Sequence, residues 1–371
     1  MKIAQIAPLI ESVPPRFYGG TERIVSYLTE ALVALGHDVT LFASGDSITA
    51  ANLVPCVPKA LRLDASVRDT IPYYMLMLDR VRQRAGEFDV LHFHIDQFHF
   101  PLFRNIAGRT VTTLHGRQDL PDLHALYAGF NDMPLISISN AQRGPVPNAH
   151  FTGTVHHGIP VNLHRAAAEA RGGYLAFLGR ISPEKRPDRA IAIARALGIP
   201  LKIAAKVDRV DEVYFRTQIE PLFAGAGVEY IGEINDQQKS QFLGRAQALL
   251  FPIDWPEPFG LAMIEAMACG TPVLAFRCGS VPEIVEDGVT GAIVDSMEEA
   301  ITALPQVIAL NRKKVRQRFE QRFSATRMAK GYVGVYRKLL ASTKAGGREE
   351  QYRQHPLPDG EHAIDPRLQI A

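Results

Sequence analysis

Residues 2–44 contain, in order, "KIAQIAPL", a glycine-containing loop, "TERIVSYLTEALVALG" and "HDVTLFAS". The first and last of these segments are short apolar runs typical of buried strands, and the longer one has the spacing of an amphipathic helix. The same order of strand, loop, helix and strand segments occurs again at 173–206 as "GYLAFLG", "RISPEK", "RPDRAIAIARALG" and "IPLKIAAK". Both predicted helices end in "ALG", where Gly36 and Gly198 are natural helix stops. Because strand–helix–strand units build parallel sheets, the repetition predicts an α/β protein with two doubly wound halves.

Seven further segments have the composition of buried strands: "FDVLHFH", "TVTTLH", "LISIS", "VEYIG", "ALLFPI", "TPVLAF" and "TGAIVD". The boundary between the halves is expected near 165–172, where "LHRAAAEARGG" separates the two sets of signals. We therefore predict Rossmann-like domains at 1–168 and 169–323, and a helix at 324–342 that crosses back to the first domain. The segment 343–371 is rich in charge, proline and glycine and is predicted to be a mobile tail.

The composition fits a soluble globular protein, with 46% hydrophobic and 22% charged residues among 371. A formal net charge of +2 argues against a nucleic-acid-binding protein, which is usually more basic. The cysteines Cys56, Cys269 and Cys278 are too few and too scattered for a disulfide framework or a zinc site. No stretch approaches the roughly 20 apolar residues of a membrane span, and the opening run lacks a signal-peptide cleavage pattern. We expect a cytoplasmic protein.

A glycine pair lies in the first predicted strand–helix loop, in "YGGTE" at 18–22. In doubly wound sheets, ligands bind beyond the carboxyl ends of the strands, so two facing domains predict a site in the cleft between them. Gly19 and Gly20 would let the backbone approach an anion, beside the free N–H groups of the helix that follows. The alternative interpretation is a plain turn.

Two cations lie in the equivalent loop of the second half, Arg180 and Lys185 in "GRISPEK". Just past a strand end they would grip a diphosphate, Arg180 with its planar fork and Lys185 as a point charge. The alternative interpretation is a solvated loop, since most arginines and lysines are exposed.

Two glutamates eight positions apart, Glu257 and Glu265, lie in "PEPFGLAMIEAMACGTPVLAF" at 256–276. A carboxylate among apolar neighbours is costly unless it is paired or faces a polar cleft. A helix is expected to begin near Phe259 or Gly260. Since carboxylates accept strong hydrogen bonds from hydroxyls, Glu265 suits a ribose diol and Glu257 a second, transferred sugar. Alternatively, Glu257 caps the helix and Glu265 lies on a wet edge.

Together these segments resemble a known family, the retaining glycosyltransferases of the GT-B fold in family 4, also called group 1. The resemblance covers roughly residues 1–340. Its motifs are "GGTE" at 19–22, "TLHG" at 113–116, "GRISPEK" at 179–185, "EPFGLAMIE" at 257–265 and "GSVPEIVEDGVTG" at 279–291.

The resemblance implies an acceptor-side first domain, a donor-binding second domain and roles for individual residues. Arg180 and Lys185 would bind the donor diphosphate and stabilise the leaving group, and Glu265 would hold the nucleotide ribose. Glu257 would contact hydroxyls of the donor sugar, and His115 would lie beside that sugar. The remaining donor-binding residues implied by the family are Gly19, Gly20, Phe259, Gly260, Leu261 and Glu283.

Two positions depart from the family pattern. Members commonly have Lys-Gly where this chain has Lys185–Arg186–Pro187. An Asn-Gly-Ile-Asp-like element near the domain link is replaced by "HHGIP" at 156–160. The second departure puts local hinge contacts in question, while the lysine of the first is retained.

The implied reaction is transfer of a sugar from a nucleotide-sugar, with UDP favoured, to an unidentified glycan, lipid or small-molecule acceptor. It would proceed by front-face substitution with retention at the anomeric carbon, and without a metal or other cofactor, because Arg180 and Lys185 supply the positive charge. Alternative functions are a sugar-nucleotide epimerase, a phosphorylase on a similar fold, or a nucleotide-sugar-binding protein without catalysis.

Two segments allow other interpretations. "HFHIDQFH" places His92 and His94 on one strand face near Asp96 and His99, which suggests either a metal site or contacts with the acceptor. "IPYYMLMLDRVRQR" at 71–84 is apolar with a basic end, so it suits peripheral contact with a membrane as well as a helix packed on its own sheet.

Overall fold

A computed structural model describes residues 1–16, 19–225 and 227–345. Within them the chain forms two parallel sheets flanked by helices, so the predicted α/β fold of two doubly wound halves is confirmed. Tyr18 of the predicted glycine loop lies outside the described residues, as does 346–371, which is most of the predicted tail.

The first sheet has the strand order β3-β2-β1-β4-β5-β6-β7. Its strands are β1 (Lys2–Ile6), β2 (Asp38–Ser44), β3 (Asn52–Val57), β4 (Val90–Phe93), β5 (Thr110–Thr113), β6 (Leu135–Ser137) and β7 (Phe151–Thr154). The second sheet has the order β10-β9-β8-β11-β12-β13. Its strands are β8 (Leu175–Arg180), β9 (Leu201–Lys206), β10 (Val228–Gly232), β11 (Leu249–Phe251), β12 (Val273–Phe276) and β13 (Gly291–Val294).

The helices of the first domain are α1 (Gly20–Ala34), α2 (Ile71–Gln83), α3 (Phe100–Phe103) and α4 (Asp122–Gly129). The second domain contains α5 (Pro187–Ala196), α6 (Glu212–Tyr214), α7 (Asp236–Arg245), α8 (Leu261–Ala268), α9 (Val281–Ile284), α10 (Met297–Ile308) and α11 (Arg312–Arg322). A long final helix, α12 (Ala325–Ala345), follows them. The boundary predicted at 168/169 falls in the connection between β7 and β8.

Both sheets reverse their winding direction beside their first strand, between β1 and β4 and between β8 and β11. Such a switch point opens a crevice beyond the carboxyl ends of the strands. The two strands that the sequence did not predict, β3 and β7, lie at the edges of the first sheet. Edge strands are only partly buried, and β3 contains Pro55, so neither has the continuous apolar run of a central strand.

The final helix α12 packs against the first domain although it follows the second in sequence. Tyr332 and Tyr336 are fully buried there, and Thr113 of β5 donates to the Tyr332 hydroxyl at 3.1 Å. Gly153 of β7 allows α12 to pack closely on this strand, because a Cβ atom at this position would lie 2.9 Å from the Val335 side chain. The helix therefore connects the two domains a second time.

Helix α2 buries one face, with Tyr74, Met77, Leu78 and Val81 against its own domain. Its other face leaves three apolar residues exposed: Ile71 by 53%, Met75 by 65% and Leu76 by 68%. Among the residues that the structure describes, none of the helices is long and apolar enough to cross a bilayer.

Candidate functional site

The strand ends of the two domains border one cleft of about 1020 Å³. Of the eleven predicted site residues, ten line it: Gly19, Gly20, His115, Arg180, Lys185, Glu257, Phe259, Gly260, Leu261 and Glu265. The eleventh, Glu283, is not part of the lining formed by the described residues. The sequence therefore identified a set of distant residues that the fold gathers in one place.

Glu257 and Lys185 form an ion pair at the base of the cleft. Trp255 adds to it, since its indole N–H donates to the same carboxylate oxygen at 3.0 Å and its ring lies 4.8 Å from the Lys185 ammonium. Both charged side chains are mostly buried, so each charge is stabilised chiefly by the other. A ligand can replace this pairing if its negative charge binds Lys185 and its hydroxyl groups donate hydrogen bonds to Glu257.

Glu265 is paired with Lys239 of α7, whose ammonium lies 2.8 Å from the carboxylate. Only 5% of Glu265 is exposed. Burial by itself raises the pKa of this carboxyl, but the charge of Lys239, with His164 and Arg23, outweighs burial and holds the pKa below its usual value. Glu265 is therefore an ionised hydrogen-bond acceptor at the cleft wall, and sequence reasoning missed the lysine that keeps it so.

Arg180 lies at the end of β8, where three carboxylates of its own domain surround the guanidinium. The nearest atoms of Glu184, Asp208 and Asp211 lie 3.1, 3.6 and 3.4 Å from it. Since about a third of the Arg180 side chain is exposed, these pairs orient the guanidinium without closing it off from the cleft.

Helix α8 begins at the cleft because Gly260 ends the preceding loop in the left-handed region, at φ +83°. A side chain here would be strained, and its Cβ atom would lie 2.6 Å from Met263 and 3.0 Å from Phe251. Across the cleft, Gly20 comes close to Leu261, with 3.9 Å from an added Cβ atom to the leucine side chain. The free N–H groups at the start of α8 therefore border one side of the cleft, and the start of α1 borders the other side.

The "GSVPE" segment supports the Glu257 loop from behind. A Cβ atom at Gly279 would lie 2.3 Å from the Glu257 nitrogen, so only glycine fits there. Ser280 donates its backbone N–H to the Glu257 carbonyl at 2.9 Å and its hydroxyl to the Phe259 carbonyl at 2.8 Å. The segment thus fixes the backbone that carries Glu257 and Phe259.

Glu283, which the family resemblance assigned to the donor, instead joins the two domains. Its carboxylate accepts hydrogen bonds from the backbone of Asn140 and Ala141, each at 2.8 Å, and lies 3.2 Å from His156. Burial alone raises the pKa of Glu283, but the hydrogen bonds from His156, Asn140 and Ala141 outweigh it and lower the pKa. With its oxygens so engaged outside the cleft lining, Glu283 is not placed to contact a ligand in this structure.

Arg186, where the sequence departs from the Lys-Gly pattern of the resemblance, lies at a backbone position that favours glycine. It lies in the left-handed region at φ +50° and ψ +54°, which costs a non-glycine residue about 1 kcal/mol. Its guanidinium is held by Asp188 at 2.8 Å and by Asp254 at 2.8 Å. These ion pairs compensate for the strain and tie the Lys185 loop to the loop that carries Glu257.

An ion pair joins the two domains at the cleft, between Arg23 of α1 and Asp236 of α7. Asp236 is also 3.5 Å from Lys239, the partner of Glu265. Arg23 of the first domain is therefore linked through Asp236 and Lys239 to the buried Glu265 of the second domain.

His115 follows β5 and lines the cleft together with His157, with ring centroids 5.3 Å apart and nearly parallel. Burial lowers the pKa of His115 to about 3. Burial, reinforced by the nearby His115 and His156, also holds the pKa of His157 well below its usual value. Both rings are therefore uncharged at neutral pH, and they contact each other by stacking.

The histidines of "HFHIDQFH" lie behind the cleft wall, where His92, His94 and His99 are almost fully buried. His92 is engaged on both sides, by Tyr336 at 2.7 Å and by Thr113 at 2.7 Å. No cluster of three or more His, Cys, Asp or Glu residues within the described part of the chain is arranged to hold a metal ion. These side chains form a buried hydrogen-bond network instead.

Comparison with known proteins gives two family matches that together span most of the cleft-forming residues. Residues 163–323 match "Glycosyl transferases group 1" and residues 18–143 match "Glycosyltransferase Family 4". Among curated proteins, a D-inositol 3-phosphate glycosyltransferase of Mycolicibacterium smegmatis is 33% identical over 175 residues. This alignment covers 43% of the chain but only 39% of that protein, so the chain matches less than half of its relative's length.

Solved structures match along nearly the whole chain. AviGT4, a glycosyltransferase involved in avilamycin A biosynthesis, has a TM-score of 0.68 at 25% identity, over 92% of this chain and 98% of its own. Anabaena HepE, solved with UDP and glucose, has a TM-score of 0.69 at 18% identity, over 91% of this chain and 100% of its own. These neighbours confirm the expected GT-B architecture.

Proposed function

Because the chain belongs to the group 1, family 4 glycosyltransferases, we propose that it transfers a sugar from a nucleotide-sugar donor to an acceptor hydroxyl. The observation that carries this proposal is the pair of buried ion pairs, Lys185–Glu257 and Lys239–Glu265, that line one wall of the cleft beside the start of α8. Such a wall offers cations to a diphosphate and ionised carboxylates to hydroxyls at separate points.

The nucleotide binds on the second domain. The Glu265 carboxylate accepts hydrogen bonds from the two ribose hydroxyls, which is favourable because it is ionised and already fixed by Lys239. UDP is the favoured nucleotide, which the UDP and UDP-glucose complexes of the neighbour HepE support.

The diphosphate lies between Arg180, Lys185, the start of α8 and Gly20 of the opposite domain. Binding draws Lys185 partly away from Glu257, whose carboxylate then accepts hydrogen bonds from the donor sugar. His115 contacts the same sugar from the first domain, where its neutral ring is a hydrogen-bonding group without charge.

Transfer proceeds on one face of the sugar. The bond between the anomeric carbon and the diphosphate oxygen breaks with its electron pair on that oxygen, and the acceptor oxygen forms its bond from the same side. The acceptor proton passes to the departing phosphate oxygen, so the anomeric configuration is retained. Arg180, Lys185 and the α8 N–H groups stabilise the developing negative charge, and the reaction as proposed uses no metal.

The proposal is tested by incubating the protein with UDP-glucose, UDP-galactose and UDP-N-acetylglucosamine and following products by NMR. We expect slow release of UDP and of an initially α-configured sugar by hydrolysis, and faster release with a suitable acceptor. The acceptor panel includes glycans, lipids and D-inositol 3-phosphate, for which the mycobacterial relatives are named.

The alternative functions give different products. An epimerase converts the donor to its epimer without releasing UDP, and a phosphorylase releases sugar 1-phosphate only with inorganic phosphate. A binding protein without catalysis leaves every bound donor intact across the acceptor panel. Any of these results replaces the transferase proposal, whereas a β-configured first product overturns only the retaining, front-face step.

A further inference from the structure

A continuous chain of buried hydrogen bonds leads away from His115 into the first domain. His115 Nε2 lies 2.9 Å from His94 Nδ1, and His94 Nε2 lies 2.7 Å from the amide oxygen of Gln5. Gln5 belongs to β1 and is fully buried, as is His94 apart from 2% of its surface. The cleft histidine is thus connected to the centre of the first sheet.

The direction of these hydrogen bonds follows from the only group that cannot donate, the amide oxygen of Gln5. His94 must therefore carry its proton on Nε2. Since burial and the neighbouring histidines hold the pKa of His94 well below its usual value, the ring is neutral and its Nδ1 only accepts. His115 must then donate from Nε2, which leaves its own Nδ1 without a proton.

The nitrogen of the Gln5 amide contacts groups outside the cleft. Its nitrogen lies 3.3 Å from His92 Nδ1 and donates to the Tyr336 hydroxyl of α12 at 3.3 Å. The Tyr336 hydroxyl is in turn 2.7 Å from His92 Nδ1. If the Gln5 amide were rotated by 180°, donor and acceptor would exchange places in each hydrogen bond between Tyr336 and His115. The orientation of Gln5 therefore decides which nitrogen of His115 is protonated.

We propose that Gln5 and His94 are positioning residues that hold His115 as the Nε2–H tautomer, with Nδ1 presented as an acceptor for a hydroxyl of the bound sugar. His115 Nδ1 is buried and has no hydrogen-bond partner among the residues that the structure describes, although the ring lines the cleft. The tautomer of His115, which we call the tautomer lock, depends only on residues of the protein, while its use for a sugar hydroxyl rests on the proposed function.

Two roles of the network can be separated. A merely structural network would stabilise the domain without selecting a tautomer, whereas the proposed lock makes the protonation site of His115 depend on a residue two hydrogen bonds away. The nitrogen chemical shifts of the imidazole ring report this site directly, without any substrate.

The test is long-range ¹H–¹⁵N NMR on protein labelled at histidine, with His115 identified by the signals lost in His115→Gln. In the wild type we expect a single tautomer with Nε2 protonated. Gln5→Leu removes every hydrogen bond of the Gln5 side chain at similar volume, so His115 should become a mixture of tautomers. Donor hydrolysis should then fall about tenfold, the worth of one hydrogen bond.

Tyr332→Phe is the matched control, because it deletes an equally buried hydroxyl at the far end, beyond Thr113, and should leave the His115 tautomer unchanged. An Nδ1–H tautomer in the wild type overturns the proposal even if no variant folds. An unchanged single tautomer in a folded Gln5→Leu variant overturns it as well. A correct tautomer in a protein that turns over no nucleotide-sugar refutes the proposed function and leaves the lock standing.

Discussion

On the second domain's side of the cleft, ionised side chains are paired with each other, Lys185 with Glu257 and Lys239 with Glu265. The first domain contributes two neutral rings, His115 and His157, and the chain of groups behind His115 is also uncharged. Its charged lining residues, such as Arg23, lie away from these rings' strand, on other elements. The loop after β5 of the first sheet therefore places an uncharged polar group at the cleft, whereas the loops after β8 and β11 of the second sheet place charged ones there.

The difference follows from what each side would have to stabilise. A diphosphate leaving group needs fixed positive charge, which a protein keeps in a buried place only by pairing it beforehand. A sugar hydroxyl can be held by a neutral hydrogen-bond partner as well as by a carboxylate, and a charged histidine on this side would compete with the cations opposite for the diphosphate. The comparison predicts that the two sides respond differently to pH and to substitution.

Acid should affect the first domain before the second, and this is the largest effect we expect. The pKa of His92, His94, His99 and His157 is held well below 6.5 by burial, and that of His115 falls to about 3. Below pH 6.5 the unfolded chain binds protons that the folded chain does not, so stability falls as the pH falls. Each of the five therefore lowers the free energy of unfolding by an amount on the order of 1 kcal/mol as the pH falls from about 7.5 to 5.5.

In the second domain, the carboxyls with lowered pKa values include Glu265 and Glu283, and their contribution to stability is lost only as the pH falls below their usual value of 4.5. In the first domain, burial raises the pKa of Glu11 and Glu22, which opposes the histidine effect in part. Trp255, the single tryptophan, reports the second domain by fluorescence, while circular dichroism reports both. We expect acid to reduce the dichroism first; coincident acid transitions at pH 4 or below would contradict the comparison.

Substitution of Lys185, the partner of Glu257, should abolish most turnover without unfolding the protein. Lys185→Met keeps the length of the side chain but removes the charge at the leaving group, so donor turnover should fall about 10²–10³-fold. Lys202→Met is the control, because Lys202 forms a similar ion pair with Glu229 at 2.7 Å outside the cleft. Turnover of Lys185→Met within about twofold of Lys202→Met would remove Lys185 from the proposed mechanism.

The ion pair that joins the two domains at the cleft should have a smaller effect on donor affinity. Arg23→Met removes a contact between the domains next to Asp236 and Lys239, so the nucleotide-sugar should bind about two- to fivefold more weakly. Asp236→Asn should have the same effect, and the double variant should add little to either. Arg277→Met, which breaks an exposed ion pair within the second domain, should leave affinity unchanged. Fully additive effects would show that Arg23 and Asp236 act separately.

The smallest effect is expected on the exposed face of α2. Met75→Ser with Leu76→Ser removes apolar surface that contacts solvent, so the free energy of unfolding should change by less than about 0.5 kcal/mol. Because the opposite face of α2 is packed on its own domain, we expect wild type and variant to float equally poorly with anionic liposomes. Flotation of the wild type alone would identify this face as a membrane contact.

The fold was predictable because its central strands and the helices after them carry strong local signals. The second half illustrates this: the predicted strand in "GYLAFLG" is β8, and Gly198, at φ +62°, follows α5 by two residues. The edge strands β3 and β7 were not predictable in the same way, since half-buried residues leave no clear apolar pattern.

The cleft residues were found because each follows a strand end, but their partners were not. Lys239 pairs with Glu265 from a separate helix, and Tyr336 reaches His92 across 244 positions of sequence. The polar character of "HFHIDQFH" indicated a metal site or contacts with the acceptor, whereas the fold places His92 and His94 in a buried hydrogen-bond network. Glu283 was assigned to the donor by resemblance, because nothing in its local sequence reveals that Asn140 and Ala141 take up its oxygens.

The central claim is that the charged wall of the second domain holds the ribose and diphosphate of a nucleotide-sugar. It is tested most directly by ligand-observed NMR with UDP-, GDP- and ADP-glucose on the wild type, Glu265→Ala and the control Glu229→Ala. We expect one nucleotide class to bind the wild type and the control equally, and Glu265→Ala to bind it about tenfold more weakly. Absence of binding to the wild type at about millimolar concentration, or equal binding to Glu265→Ala, would contradict the claim.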